Sequence, residues 1–463
     1  MRHPHIPLSR FTHRRGRLQN TLNAPILLMG NVEQSRNFPA NHLPFRQDST
    51  FWYFTGCTHP GAAWFSSYTE SILFLPEQHP SDVLWHGIQE SNADITQRLG
   101  FDRWLKREDL DAFMATQECQ KVHTIAVSDY KTNQWLSQTL DKPFVFGEQN
   151  GSNELIETII SMRRILDEDE IEQLRWTANI TRDAHISAMK ATSVGQHELD
   201  IASAFHYPIH KAGLDTAYHS IITVDGEILH NHAYKNDLQQ GDLLLLDGGA
   251  ESPYGYATDV TRTWPVSGTF TDRQKRAYTA VLKAQEASIE MVRSGVRYRH
   301  IHDATSSVLT EFLVSEELLY GKVDDLMAQG AHALFFPHGV GHLLGLDVHD
   351  MENFGDRVAY APGRARSEQF GTGYLRMDLD LEPNMVVTIE PGFYMCPAIF
   401  NDPTLRNRFN AVVNWDRVQD WMGFGGIRIE DDIRCTDDAP ENLTEQIPKS
   451  IEDVCTLVGS LTT

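Results

Sequence analysis

The chain has 463 residues, more than one ordinary hydrophobic core absorbs, so two domains are expected. Its 40 basic against 63 acidic residues leave a formal charge of −23, a field that repels phosphate backbones and anionic lipid surfaces and argues against nucleic-acid or membrane partners. Five cysteines, Cys57, Cys119, Cys396, Cys435 and Cys455, are scattered without a Cys-x-x-Cys pair, which speaks against a disulfide framework or a thiolate metal knuckle and fits a reducing, cytoplasmic setting.

The N-terminus is basic, but the apolar run "APILLM" that follows is too short for a secretory signal core, and no stretch reaches membrane-spanning length. Short apolar runs then alternate with polar helical stretches. "SILFLP" (71–76), "TIAVSD" (124–129) and "PFVFGE" (143–148) read as strands of an N-terminal α/β domain spanning 1–170. The charged segment "SMRRILDEDEIEQLRW" (161–176) leads into a helix with Ile171, Leu174, Ala178 and Thr181 at helical spacing, opening a second domain, 171–463.

Within that domain, "TDRQKRAYTAVLKAQEASIEMVRSG" (271–295) predicts a core-packed helix that starts on a Thr271/Gln274 capping box and closes on Gly295. Two strand pairs stand out. "GDLLLLDGGA" (241–250) ends on Asp247 and is followed by "GYATDVTRTWPV" (255–266), a strand containing Asp259. "NMVVTIEPGFY" (384–394) carries Glu390 at the end of an apolar run, and "GFGGIRIEDDIRC" (423–435) is a strand containing Glu430. One acid on each of four strands suggests two related halves facing a common site.

An acid embedded in a Leu- or Val-rich strand costs desolvation energy unless it is paired or metal-bound. Asp247 taken singly is ordinary turn chemistry ahead of Gly248 and Gly249. Four converging acids would repel one another and take up protons, a problem that metal ions remove. Strand alternation places Asp259 with Thr261 on one face, and Glu430 with Arg428 on one face. Histidines complete the set: "FFPHGVGHLLGLDVHD" (335–350) holds His338, His342 and His349. Gly339 and Gly341 disfavour a helix there, so a looped backbone would present one of the pair His338 and His342. Carboxylates with imidazole and no thiolate suit Mn²⁺, Zn²⁺, Fe²⁺ or Co²⁺.

"LLLLDGGAESPYGYATDVTRTWP", "HGVGHLLGLDVHD", "VVTIEPGFY" and "GGIRIEDDI" resemble the successive motifs of the pita-bread metallopeptidases, and "FRQDSTFWYFTG" (45–56) resembles the first domain of their Xaa-Pro aminopeptidase (aminopeptidase P) subfamily. The resemblance runs from about residue 30 to the C-terminus. It implies an α/β (α+β) chain: a creatinase-like N-terminal domain and a pita-bread domain with pseudo-twofold halves. It further implies two divalent ions, Mn²⁺ foremost, held by Asp247, Asp259, His342, Glu390 and Glu430, with Asp259 and Glu430 bridging. His349, His230 and His338 fall on active-site histidines, Glu390 on a proton-relaying carboxylate, and Arg428 on an anchor for the carboxylates. His232 has no family role. The implied reaction is removal of the residue before proline from peptides with proline second, by a hydroxide held between the ions, in a homodimer or homotetramer.

Trp85 resembles a tryptophan that reaches a neighbouring subunit's site, with a buried core aromatic as the alternative. The chain departs from the family in a longer Asp247–Asp259 interval, expected to turn at Pro253, in Asn384 where glycine is usual, and in long loops at 351–376 and 395–422 that would border the site. The nearest rival is prolidase, a dipeptidase with the same site. A metal-free hydrolase of creatinase type would have lost the ligand positions, and a purely structural acidic protein leaves buried acids unexplained.

Overall fold

The computed structural model describes residues 3–460, which divide into two compact units. One contains His5–Arg163 with Met351–Val358, and the other is built from Arg164–Asp350 and from Ala359 onward. In the first, strands β1 (Ile26–Met29), β2 (Ala63–Ser66), β3 (Ser71–Leu75) and β4 (Arg103–Lys106) form one sheet in that order, antiparallel except for the parallel β3/β4 pair. Strands β1–β3 are largely buried, whereas β4 is partly exposed. The other two expected strands differ. Residues 124–129 make only an isolated bridge, Ile125 to Gly151, and 143–148 is a tight turn closed by Val145 and Gln149. Val145 and Phe146 are exposed, so the apolar run has no sheet to enter. Trp85 is 74% exposed, which overturns the buried alternative, and Leu84 and Ile88 are exposed beside it.

The second unit begins on the helix Glu168–Ala191, whose capping box pairs Asp167 with Glu170 and whose Ile171, Leu174, Ala178 and Thr181 are buried. Its strands are β5 (Asp215–Thr216), β6 (Ile221–Thr223), β7 (Leu243–Asp247), β8 (Ala250–Glu251), β9 (Thr261–Pro265), β10 (Val386–Ile389), β11 (Gly392–Tyr394), β12 (Gly426–Arg428), β13 (Asp431–Arg434) and β14 (Glu441–Asn442). Antiparallel sheets β6-β7-β9 and β10-β13-β14, with the pair β11-β12, carry the two expected halves. Leu244, Leu246, Trp264, Phe393 and Ile427 are buried in one core around them, each large apolar side chain contributing about 2 kcal/mol.

Four expectations need correction here. Asp259 lies two residues ahead of β9, and Glu430 sits in the gap between β12 and β13, so neither is inside a strand. The Thr271 capping box forms, but the helix Asp272–Ile289 stops six residues before Gly295, where the chain turns to meet the helix Tyr298–Ser315. Residues 395–422 fold into short helices Pro397–Phe400, Pro403–Phe409 and Trp415–Trp421, nucleated by prolines at first-turn positions and by Asp402 and Asn414 caps. Asn384 adopts the left-handed conformation at φ 69°, and the chain turns at Pro253–Tyr254, both as expected. Among the described residues no helix is long and apolar enough to cross a membrane, and the five cysteines are free.

Three core histidines make the fold acid-sensitive. Burial pushes His185 and His302 down to about 3 and His332 down to about 4. Unfolded histidine titrates near 6.5, so below that pH the unfolded chain binds protons that the fold refuses. Stability therefore falls as pH drops from about 6.5 towards 4, by about 1 kcal/mol per pH unit for each histidine. Urea midpoints measured against pH should show a shallower slope for His302→Phe, a ring that suits its neighbour Phe336; an unchanged slope would mean that His302 is already charged in the fold.

Candidate metal centre

β7 delivers Asp247 into a cavity of about 700 Å³, whose floor also holds Asp259, His342, Glu390, Arg428 and Glu430. Asp259, His342 and Glu430 are buried and offer ligand atoms all within 4.8 Å of one another. Asp259 Oδ2 lies 3.2 Å from His342 Nε2, and Glu390 Oε1 lies 3.9 Å from the same nitrogen. His342 Nδ1 donates to the Leu343 carbonyl at 2.9 Å, which leaves Nε2 facing the acids, the arrangement found for metal-bound imidazoles.

Buried groups fix these side chains from behind. Arg428 Nη2 meets Asp247 Oδ2 at 2.6 Å, and its Nε donates to Thr261 Oγ1, which donates in turn to Glu430 Oε2 at 2.6 Å. Asp259 is outside any strand, yet its N–H is accepted by the buried Asp432 carboxylate at 3.2 Å. Arg262 alternates to the other side of β9, where it donates to the Glu430 carbonyl and pairs with Asp431 at 2.7 Å. Removing one partner of such a buried pair costs about 3–5 kcal/mol, so the backbone around Glu430 is rigidly held.

The electrostatics show a site short of positive charge. Burial raises the carboxyls of Asp247, Glu390 and Glu430, that of Glu390 to about 7 and that of Glu430 well above the usual carboxylate range. Burial also works against Asp259, but its hydrogen bond to His342 and the imidazole's charge hold it below the usual range. The same bond outweighs burial at His342 and lifts the imidazole to about 9. Divalent cations would supply the missing charge and compete with that proton, so the donor set fits divalent metal.

The histidine stretch runs as irregular backbone. A side chain on Gly341 would place Cβ 2.2 Å from the Thr388 carbonyl oxygen, and one on Gly339 would place it 2.9 Å from Leu375 Cα. Those glycines let the stretch lie against β10 and beneath a long loop. The loop, closed at its base by a Tyr360–Asp378 bridge, contributes Arg366, Phe370, Tyr374 and Arg376 to the cavity wall. Residues 351–358 belong instead to the N-terminal unit, and of the 395–422 helices only Ile399 lines the cavity. His349 stacks on His342, ring centroids 3.8 Å apart, and has φ 55°. His338 Nδ1 donates to the Gly339 carbonyl while Nε2 accepts from Tyr394, whose hydroxyl also receives Arg428 Nη1. His230 and His232 line the cavity as well.

Sequence reasoning missed Tyr218, whose hydroxyl contacts both Asp247 and Asp259. No motif spacing marks it. It also missed Asp432 and Tyr394; Asp432 follows two acids in "IEDDI" and could have been found as a further acid in a buried strand.

The sequence pattern of metallopeptidase family M24 matches residues 172–437, and that of the aminopeptidase P N-terminal domain matches 11–125. The chain is 31% identical to Xaa-Pro aminopeptidase of Escherichia coli, covering 89% of each chain. It is 30% identical to Xaa-Pro dipeptidase of Homo sapiens over 97% of this chain and 93% of that one. Aminopeptidase P from Escherichia coli, solved with the inhibitor Pro-Leu, superposes with a TM-score of 0.80 at 29% identity, covering 98% of each chain. With these likenesses spanning nearly its whole length, the chain belongs to metallopeptidase family M24, a family of metal-dependent hydrolases, and carries the aminopeptidase P type of N-terminal domain.

Proposed function

We propose that this chain is an Xaa-Pro aminopeptidase, releasing the N-terminal residue from peptides with proline second. The observation that carries the reading is the convergence of Asp247, Asp259, His342, Glu390 and Glu430 on one cavity floor, with Arg428 braced against Asp247. Those five would hold two divalent ions, Mn²⁺ foremost as the family resemblance implies, with a donor set that equally suits Zn²⁺, Fe²⁺ or Co²⁺. When bound, the ions supply charge that brings a water's pKa towards neutrality and polarises the scissile carbonyl. Glu390, or a neighbouring carboxylate, takes the attacking water's proton and returns it to the proline nitrogen. His349 and His230 donate hydrogen bonds to the developing oxyanion. His338, with both ring nitrogens engaged, positions Tyr394 and Arg428. Residues 171–463 form the catalytic domain of this reading. The exposed Leu84, Trp85 and Ile88 support self-association as a homodimer or homotetramer, and five free cysteines suit the cytoplasm.

Prolidase is the second reading. Arg366 and Arg376 on the cavity wall are suited to pair with a dipeptide's carboxylate, and the human relative is named a dipeptidase. Purified protein restored with Mn²⁺ should hold two ions per chain and cleave Xaa-Pro-Yaa tripeptides faster than Xaa-Pro dipeptides. Cleavage of dipeptides only would establish prolidase. No hydrolysis with any divalent metal would reject both.

A further inference from the structure

Tyr218 joins the acid cluster from a segment that supplies none of the expected ligands. It lies between β5 and β6, and its neighbour Ala217 donates its N–H to the Gly249 carbonyl at 2.9 Å, tying this segment to the turn that follows Asp247. From there the phenol oxygen sits 2.6 Å from Asp247 Oδ1 and also meets Asp259 Oδ1. The β7/β9 ladder pairs Asp247 with Thr261 and continues through the Gly248 N–H to the Val260 carbonyl, which holds the two main chains together but leaves the carboxylate rotamers to their side-chain partners. Two carboxylates this close repel, and left to themselves they would rotate apart. A neutral hydroxyl between them is the smallest group that relieves the repulsion without competing for a cation's charge.

We propose that Tyr218 is a positioning residue for the metal pair, its hydroxyl clamping Asp247 and Asp259 in the rotamers that receive the ions. The proposal rests on the metallopeptidase reading. A phenol has a single proton to give, so it donates fully to one aspartate at a time. Loss of the hydroxyl leaves Asp247 held through Arg428 and Asp259 through His342, with the contact that couples the two carboxylates gone. Outer partners of this kind typically govern metal affinity by about 10–100-fold.

The experiment compares wild type with Tyr218→Phe, which keeps the ring and removes only the hydroxyl. Both proteins are stripped with a chelator, checked for fold by circular dichroism and melting temperature, and titrated with Mn²⁺ calorimetrically. The expected result is a melting temperature of the stripped protein equal to wild type and an affinity for at least one Mn²⁺ equivalent weakened about 10–100-fold. Turnover should then recover with excess Mn²⁺, because the chemistry itself is untouched. Wild-type affinity for both equivalents would overturn the proposal. So would a lowered melting temperature with unchanged affinity, which would make the hydroxyl a packing contact. Failure of the wild-type protein to bind Mn²⁺, Zn²⁺ or Co²⁺ would instead sink the metallopeptidase reading beneath it.

Discussion

Asp259→Asn should cost the protein both metal and turnover, with no more than one ion retained after dialysis and kcat/KM lowered on the order of 10³-fold, about 4 kcal/mol of transition-state stabilisation. The substitution keeps size and shape, and the backbone N–H remains held by Asp432, so the fold should survive. What it removes is the charge that His342 Nε2 faces at 3.2 Å and that Tyr218 contacts. Burial alone lowers the imidazole's pKa, and without Asp259 that effect is opposed mainly by Glu390. The site would then lose one of its four carboxylates and rely on Asp247, Glu390 and Glu430, three groups whose carboxyls burial already pushes towards the neutral form. Metal analysis together with Xaa-Pro-Yaa hydrolysis checks this. Two retained ions with normal turnover would remove Asp259 from the ligand set.

The reach of the sequence differs between the site's floor and its frame. Asp247 after four leucines and Glu390 after "VVTI" are legible because a charge in a buried apolar run needs a compensating partner, and that is a local property. Strand alternation also leads to the right neighbours, since Thr261 and Arg428 do meet Glu430's side chain through one hydrogen-bond chain. It misplaces the acids themselves, because bonds from Asp432 and Arg262 hold Asp259 and Glu430 where regular pairing has ended. Such bonds join residues far apart in the chain and leave no periodic trace.

Tyr218 illustrates the same limit: it is separated by 29 residues from Asp247 and by 41 from Asp259, in a stretch whose composition asks for nothing. Peripheral misreadings have a simpler origin. "PFVFGE" has the composition of a strand, but Gly147 at φ 83° turns the chain before a ladder can form. Residues 395–422 lack a long apolar period and so read as loop, while short capped helices need only a proline or an Asx residue every few positions.

His349→Ala should separate chemistry from metal binding: kcat lower by about 10²–10³-fold, the usual cost of one oxyanion donor, with metal content near wild type. His349 lies on the cavity wall, and its ring is held parallel to the His342 imidazole by a 13° stack. It is therefore oriented by His342 without needing to hold metal itself. The backbone supports a functional reading as well. At φ 55° His349 occupies the left-handed region, which costs a non-glycine residue about 1–3 kcal/mol and persists where surroundings over-determine it. His349→Gly relieves that strain, so this second variant should be at least as stable to urea as His349→Ala while equally slow. If both variants bind two ions and turn over Xaa-Pro-Yaa peptides at the wild-type rate, His349 has no part in the chemistry. If they are slow only because metal is lost, the stack on His342 is what matters, and the oxyanion role passes to His230.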